Sequence, residues 1–348
     1  MANRKLVNSK LDDLREVSAL LGADPQLVQA STGNTSIKIE DTLFIKASGK
    51  WLSDAQSDDF FVGVDLRAAR QCVERGEEVP NSAVMWGCSR PSIETAMHAV
   101  LPHPVVIHVH SVNAIAWAVR KDGPREIGRL LKGLKWAWIP YTASGVSLAR
   151  QIRRVVSFEP ETDVFVLANH GLVVCGSSCL LTERLLRDVE LRLHIQGRPS
   201  PEPDWCELKR IMPERDWVLP ASVEVHALAR DREARHLLSL GALYPCQVMF
   251  LPDTIPTLSF PIQEFGSIDR PRQMLFTDAG VLCHESVTPA QQILLYALAE
   301  VVRRIDPAAP VRYLTHSEIS GVLNGFRYSG ASLNDLPEQA AVSAALLR

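Results

Sequence analysis

Cysteine is present here without a pattern. The seven residues, Cys72, Cys88, Cys175, Cys179, Cys206, Cys246 and Cys283, are odd in number, scattered, and include no Cys-x-x-Cys pair. That excludes a disulfide framework and a cysteine-based zinc knuckle, and it suits a reducing, cytoplasmic setting. Long apolar runs are missing too. None approaches the ~18 residues of a membrane-spanning helix, so no membrane association is expected. The opening stretch "MANRKLVNSKLDDLREV" is too polar for a secretory signal. Neither sign of charge dominates: the net charge is −3, and the basic residues form no long cluster. A nucleic-acid partner is therefore not expected. Neither Gly-x-x-x-x-Gly-Lys-Ser/Thr nor Gly-x-Gly-x-x-Gly occurs, which removes the common phosphate and dinucleotide loops. Internal repeats and low-complexity tracts are absent as well.

What is present looks globular. The 348 residues exceed the usual extent of one hydrophobic core. Apolar spacing in residues 3–22 predicts an amphipathic helix. "SIKIE" and "TLFIKA", around Glu40-Asp41, predict a hairpin. "PSIETAMHAVL" has Pro91 near a helix start. "GPREIGRLLKGL", "SLARQIRRVV" and "SCLLTERLLRDVELRLHIQG" also read as helices, the last stopping at Gly197. "TDVFVLANHGLVVCG" holds two strand-like runs broken at 168–171. The three prolines of "GRPSPEPD", residues 197–204, read as a linker. Beyond it, "CQVMFLP" and "QMLFTDAGVLC" read as strands and "PAQQILLYALAEVVRRI" as a helix, and Thr315-x-x-Glu318 is a candidate capping box. Two domains are expected: residues 1–198, and a smaller α/β region over 199–348 serving as lid, packing or oligomerisation element.

The chemistry concentrates at "HPVVIHVHSVNAIAW", where an apolar strand ends on His108 and His110. Side chains alternate along a strand, so both point to one face. A single histidine on a strand is ordinarily a packed or surface residue, and His-x-His alone is a weak metal signal. His170 adds weight: it ends a second strand-like run, with Gly171 permitting a tight turn. Three imidazoles with an open fourth position are a catalytic rather than structural zinc arrangement, and nitrogen donors also accept Co²⁺, Mn²⁺ or Fe²⁺. Glu94 reads equally well as an acid in a first helical turn or as a general base beside a metal. "STGNTS" and "ASGK" combine glycine with hydroxyl and amide groups, a composition suited to an anion cradle and also common in ordinary loops. His98 and His103 read as structural.

Taken in order, "GNTSI", "FIKASG", "PSIETAMH", "VIHVHS" and "ANHG" resemble the class II aldolase/adducin family, the group of fuculose- and rhamnulose-phosphate aldolases, over roughly residues 5–195. "GALYPCQVMFLP" bears a fainter likeness to the extra segment of longer sugar-degrading members. The resemblance implies a three-layer α/β/α sandwich around a mixed, largely antiparallel sheet. It implies a homotetramer acting on a sugar or sugar phosphate through a metal-stabilised enediolate. His108, His110 and His170 match the zinc ligands, Glu94 the acid/base carboxylate that also approaches the metal in the resting site, and Gly33, Asn34, Ser48, Gly49 and Ser92 the phosphate-binding positions. Ile93 stands where a second hydroxyl is frequent, and no tyrosine matches the family's general acid; Tyr141 falls too late in the chain. Retro-aldol cleavage is the leading expectation. Sugar-phosphate 4-epimerisation, 3-oxo-tetronate-phosphate decarboxylation and methylthioribulose-phosphate dehydration use the same site, and adducin-like members keep the fold without catalysis.

Overall fold

Eight strands build the sheet that carries the histidines. In the computed structural model, which describes residues 2–57, 59–212, 216–254 and 273–328, they are β1 (Asn34–Ile39), β2 (Thr42–Lys46), β3 (Phe61–Asp65), β4 (Val84–Trp86), β5 (Val105–Val109), β6 (Trp136–Ile139), β7 (Val164–Leu167) and β8 (Gly171–Gly176). Their order is β4-β3-β2-β1-β5-β8-β7-β6. Only β6 and β7 run parallel; every other neighbouring pair is antiparallel. The sheet is thus mixed and largely antiparallel, as expected.

Alternation along the strands sorts the core into two layers. Val105, Ile107 and Val109 of β5 pack with Ile37, Ile39, Val166 and Leu172 under helices α1 (Ala2–Gly22), α4 (Val112–Ala118), α5 (Gly123–Leu130) and α7 (Cys179–Leu193). Val106 of β5 faces the other way. It joins Phe165, Leu167 and Val173 beneath α2 (Leu66–Arg75), α3 (Thr95–Val100) and α6 (Val146–Phe158). The result is a three-layer α/β/α sandwich. Every residue of β5 is buried, and each valine or isoleucine there stabilises the fold by about 1.5–3 kcal/mol relative to exposure. His108 lies on the Val106 side, so an apolar strand delivers an imidazole towards the layer of α3 and α6.

Strand directions then set the edge at which the loops gather. β1 and β8 begin where β2, β5, β6 and β7 end. Loops from six strands therefore meet at one end of the sheet.

The chain divides into two compact units. Residues 1–118 and 122–194 make the first, and residues 119–121 with 195–348 the second. In the second, β9 (Trp217–Val218), β10 (Met274–Thr277) and β11 (Gly280–His284) form a small antiparallel sheet in the order β10-β11-β9. Its helices are α8 (Trp205–Ile211), α9 (Val223–Arg230), α10 (Arg232–Ser239), α11 (Pro245–Phe250), α12 (Pro289–Arg304) and α13 (His316–Tyr328). The Thr315/Glu318 capping box forms: Glu318 N donates to Thr315 Oγ1 at 3.3 Å and Thr315 N to Glu318 Oε2 at 2.8 Å.

Two expectations are corrected in this unit. "CQVMFLP" is not a strand. Pro245 opens α11, and the fully buried Gln247 side chain reaches back, its Oε1 accepting from Leu243 N at 2.7 Å and capping the helix start. An apolar run this short has no periodicity that separates strand from helix. "QMLFTDAGVLC" is a hairpin rather than one strand, turning at Asp278-Ala279 between β10 and β11. The expected second domain also includes 255–272 and 329–348, which lie outside the described residues.

Candidate metal centre and its carboxylate

β5 stops where it does because Ser111 starts a helix: its Oγ accepts from Ala114 N at 3.1 Å, at the head of α4. His110 is left at the strand–helix junction, with its carbonyl accepting from Gln29 Nε2 at 3.3 Å. His170 sits in the turn between β7 and β8, after Asn169 at φ +52°. Gly171 permits that turn to press against β5, because a Cβ there would lie 2.5 Å from the Val109 carbonyl oxygen. Gly33 does the same on the other flank. Its φ is +63°, and a Cβ would lie 2.8 Å from the His108 carbonyl oxygen. Side-chain-free backbone on both sides thus lets three loops close around the histidines.

His108, His110 and His170 are all buried, and their candidate ligand nitrogens lie within 4.8 Å of one another. The rings meet edge to face with centroids 4.9, 4.9 and 5.0 Å apart. The tautomer of His108 is fixed by its surroundings. Nδ1 lies 3.0 Å from the Leu172 carbonyl, which can only accept, so Nδ1 carries the proton and Nε2 presents a lone pair. That Nε2 faces His110 Nε2 at 3.2 Å. Two nitrogens bound tetrahedrally to one zinc at ~2.05 Å stand roughly 3.3 Å apart. Burial pushes His108 below the usual histidine range, and burial followed by the neighbouring imidazoles pushes His110 well below it. Burial thus favours the neutral ring, the form that binds metal. The residues present therefore fit a divalent cation.

Glu94, immediately before α3, closes the cluster from the adjoining layer. Its Oε2 lies 3.4 Å from His108 Nε2 and its Oε1 3.3 Å from His170 Nε2. Burial alone would raise this carboxyl, but His108, His170 and His110 outweigh burial and hold it well below its usual range. Asn34 acts in the same direction: its Nδ2 donates to Oε2 at 2.7 Å, a bond that favours the ionised form. The pairing of Asn34 with His108 across β1 and β5 places the amide there. The same Nδ2 reaches Ser92 Oγ at 3.2 Å, and Ser92 Oγ accepts from Glu94 N at 3.3 Å.

Gly33, Asn34, Ser92, Glu94, His108, His110 and His170 are thus brought together. Ser48 and Gly49 lie on the adjoining loop, exposed. Ser48 N bonds to Arg90 O and Ser92 N to Lys46 O, so this loop runs beside Ser92. His98 is buried one layer deeper against Ser36, with Nδ1 at 2.6 Å from its hydroxyl. Among the described residues it belongs to no metal-ligating group.

Two residues in the neighbourhood were not singled out from the sequence. Lys46 is 2% exposed, and its Nζ donates to Ser31 O at 2.8 Å and Lys50 O at 2.6 Å. It ties "STGN" to "ASGK". Ser144 Oγ donates to Glu94 Oε1 at 3.3 Å. The signal for Ser144 was available: "TASG" repeats the composition of "KASG", after another apolar strand-like run. Lys46 gave none, since a lysine at a strand end ordinarily reaches solvent.

A carboxylate facing three imidazoles, on an α/β/α sandwich with small-residue loops at the same edge, defines a metal-site protein class. Residues 12–196, more than half of the chain, match the family described as Class II Aldolase and Adducin N-terminal domain, and the chain belongs to that family. It is 32% identical over 183 residues to a methylthioribulose-1-phosphate dehydratase of Microcystis aeruginosa, spanning 46% of this chain and 82% of that protein. It is 28% identical over 186 residues to an uncharacterized oxidoreductase, YuxG, of Bacillus subtilis; the match spans 48% of this chain and only 27% of that longer protein. Among solved structures, the N-terminal class II aldolase domain of a Thermoplasma acidophilum protein is similar at a TM-score of 0.48 and 25% identity, covering 53% of this chain and 91% of that one. L-fuculose-1-phosphate aldolase of Thermus thermophilus is similar at 0.39 and 18%, covering 53% and 91%. Among the described residues, no helix is long and apolar enough to cross a membrane.

Proposed function

We propose that the chain is a divalent-metal-dependent lyase that cleaves a carbon–carbon bond of a phosphorylated or acidic sugar by retro-aldol chemistry. The observation that carries this reading is the buried Glu94 carboxyl within 3.3–3.4 Å of two of three clustered imidazoles. His108, His110 and His170 would hold the cation, which when bound supplies Lewis acidity towards a carbonyl oxygen. Zinc suits the donor set best, and Co²⁺, Mn²⁺ and Fe²⁺ share it. Glu94 accepts the proton of the hydroxyl β to the ketone. The C–C bond then breaks to an aldehyde and an enolate, and the held proton is available to return to carbon. A placed acid/base of this kind contributes about 10²–10⁴-fold.

Gly33, Asn34, Ser48, Gly49 and Ser92 would take the remote anion and so orient the reacting carbons. Ile93, 49% exposed, brings no hydroxyl to that cradle. A cytoplasmic homotetramer belongs to the same reading. The Microcystis relative supports a second: Glu94 takes the proton α to the carbonyl and hands it to the departing β-hydroxyl, which leaves as water. An adducin-like assembly role needs no such centre, and here all four side chains of it are present.

The test is metal analysis followed by a screen of ketose phosphates and acidic sugars. A three-carbon product supports retro-aldol cleavage. Loss of one water favours the dehydratase, CO₂ a decarboxylase, and a changed stereocentre alone an epimerase. Failure to bind stoichiometric divalent metal under metal-replete conditions refutes the reading.

A further inference from the structure

Helix α3 has Glu94 at its head, and little within the helix decides how it lies on the sheet. It spans six residues, and the Glu94 side chain makes no capping bond. A helix this short is held by tertiary contacts rather than by its own turns. Ala96, Met97 and Leu101 give it apolar contacts, but apolar burial is non-directional and tolerates small slides and rotations. Fixing its register takes directional bonds.

Strand β1 supplies them. Its alternate residues Asn34, Ser36 and Lys38 share one face. Asn34 Nδ2 donates to Glu94 Oε2 at 2.7 Å, Ser36 Oγ lies 2.6 Å from His98 Nδ1, and Lys38 Nζ donates to the His103 carbonyl at 2.8 Å, just beyond the helix. His98 stands one turn after Glu94, and its N–H donates to the Glu94 carbonyl at 3.2 Å. Ser36 and His98 are fully buried. Among the described residues, His98 Nε2 has no partner, so the ring is tied to the sheet through Ser36 alone. With no water at hand to replace it, losing that bond leaves a buried polar group unsatisfied.

We propose that His98 is a positioning residue for Glu94. Bonded to Ser36, two residues along β1 from Asn34, it fixes α3 against the strand so that the Glu94 carboxyl meets Asn34 and faces His108 and His170. Ser92 is anchored separately, by its N–H on the Lys46 carbonyl, so the anion cradle does not depend on the His98 bond. The proposal rests on the reading of Glu94 as a working group of a metal site.

The test uses the full chain loaded with Co²⁺, whose visible absorption reports the surroundings of the ion. Ser36→Ala and His98→Leu remove the bond from either side, and His98→Asn keeps a polar atom at the Nδ1 position. Ser18→Ala is the control: Ser18 Oγ lies 2.6 Å from Thr35 Oγ1, a buried bond of equal length on the opposite face of the same strand. Ser36→Ala and His98→Leu are expected to bind one Co²⁺ per chain and to share one shift of the visible band, which the double variant does not enlarge. His98→Asn returns the wild-type band. Ser18→Ala lowers the unfolding midpoint and leaves the band in place. With a turned-over substrate, Ser36→Ala lowers kcat about tenfold or more, within what a misplacement of about 1 Å costs, and leaves KM within about threefold. A Ser36→Ala band superposing on wild type overturns the proposal, and so does an equal shift in Ser18→Ala. Ser36→Ala, the smaller change, decides the outcome if His98→Leu does not fold. If Glu94→Gln itself matches wild type in spectrum and turnover, the reading of Glu94 is what fails.

Discussion

Replacing Lys46 by methionine should stabilise the fold at neutral pH, and the gain should fade as pH rises. Lys46 is 2% exposed, and its two hydrogen-bond partners are neutral carbonyls of Ser31 and Lys50. Burial pushes its pKa from 10.5 down to about 7, with Glu94 the one charge acting the other way. A folded-state value below the unfolded one means that the unfolded chain binds the extra proton between pH 7 and 10. Stability rises with pH across that window and is lost as pH falls through it. The difference of about 3.5 units corresponds to on the order of 4–5 kcal/mol when the ammonium is fully protonated. Losing the two carbonyl bonds in the variant offsets about 1–1.5 kcal/mol each. Urea unfolding at pH 7, 8 and 9 measures the outcome. Lys38, also pushed down to about 7, and Cys175, whose thiol burial pushes up to about 12, are common to both proteins and cancel in the difference. The advantage of Lys46→Met over wild type should shrink by roughly 2 kcal/mol between pH 7 and 9. Parallel curves would show that the ammonium is not buried and uncompensated as described.

Three further outcomes are expected. His110→Ala should lower divalent-metal affinity by more than about 100-fold, beyond what the loss of an orienting partner does; chelator competition measures it, and unchanged affinity removes His110 from the centre. Glu94→Gln should retain the fold and the metal while kcat falls about 10²–10⁴-fold on whatever substrate the screen identifies. Gly171→Ala puts a Cβ 2.5 Å from the Val109 carbonyl oxygen, and forcing that contact should cost about 1–3 kcal/mol in denaturant unfolding together with weaker metal binding; a variant as stable as wild type would mean that β5 and β8 separate freely.

The site was more legible than the second unit, for physical reasons. Alternation along a strand is a strict two-residue rule, so His108 and His110 declare a shared face without further information. The glycines announce close approach, and Gly33 and Gly171 lie against the carbonyls of His108 and Val109. What local pattern cannot carry is pairing between distant strands. That Asn34 stands opposite His108, and so against Glu94, follows from register alone. That Ser144 reaches the same carboxylate follows from the parallel run of β6 beside β7. Short apolar stretches are illegible for a different reason. "CQVMFLP" is decided by Pro245 and by the buried amide of Gln247, and a periodicity count sees neither.

Three imidazoles, a carboxylate and an ammonium at one end of a single sheet are a poor way to make a stable fold. Each buried polar group forfeits hydration, and a buried charge without a close counter-ion forfeits more than apolar packing at the same position would. Much of the rest of the unit is apolar: β5 is apolar up to the residue before His108, and the cores on either face are built mainly from Leu, Ile, Val and Phe. The densest group of departures lies at the edge where six strand ends meet. They are also mutually arranged, with Leu172 fixing a tautomer, Asn34 and Ser144 meeting opposite oxygens of Glu94, and Lys46 tying two loops together. A pure assembly module gains nothing from that arrangement and would be more stable with apolar residues in its place. The arrangement is what the proposed function calls for, in which a cation and an anionic substrate complete the site.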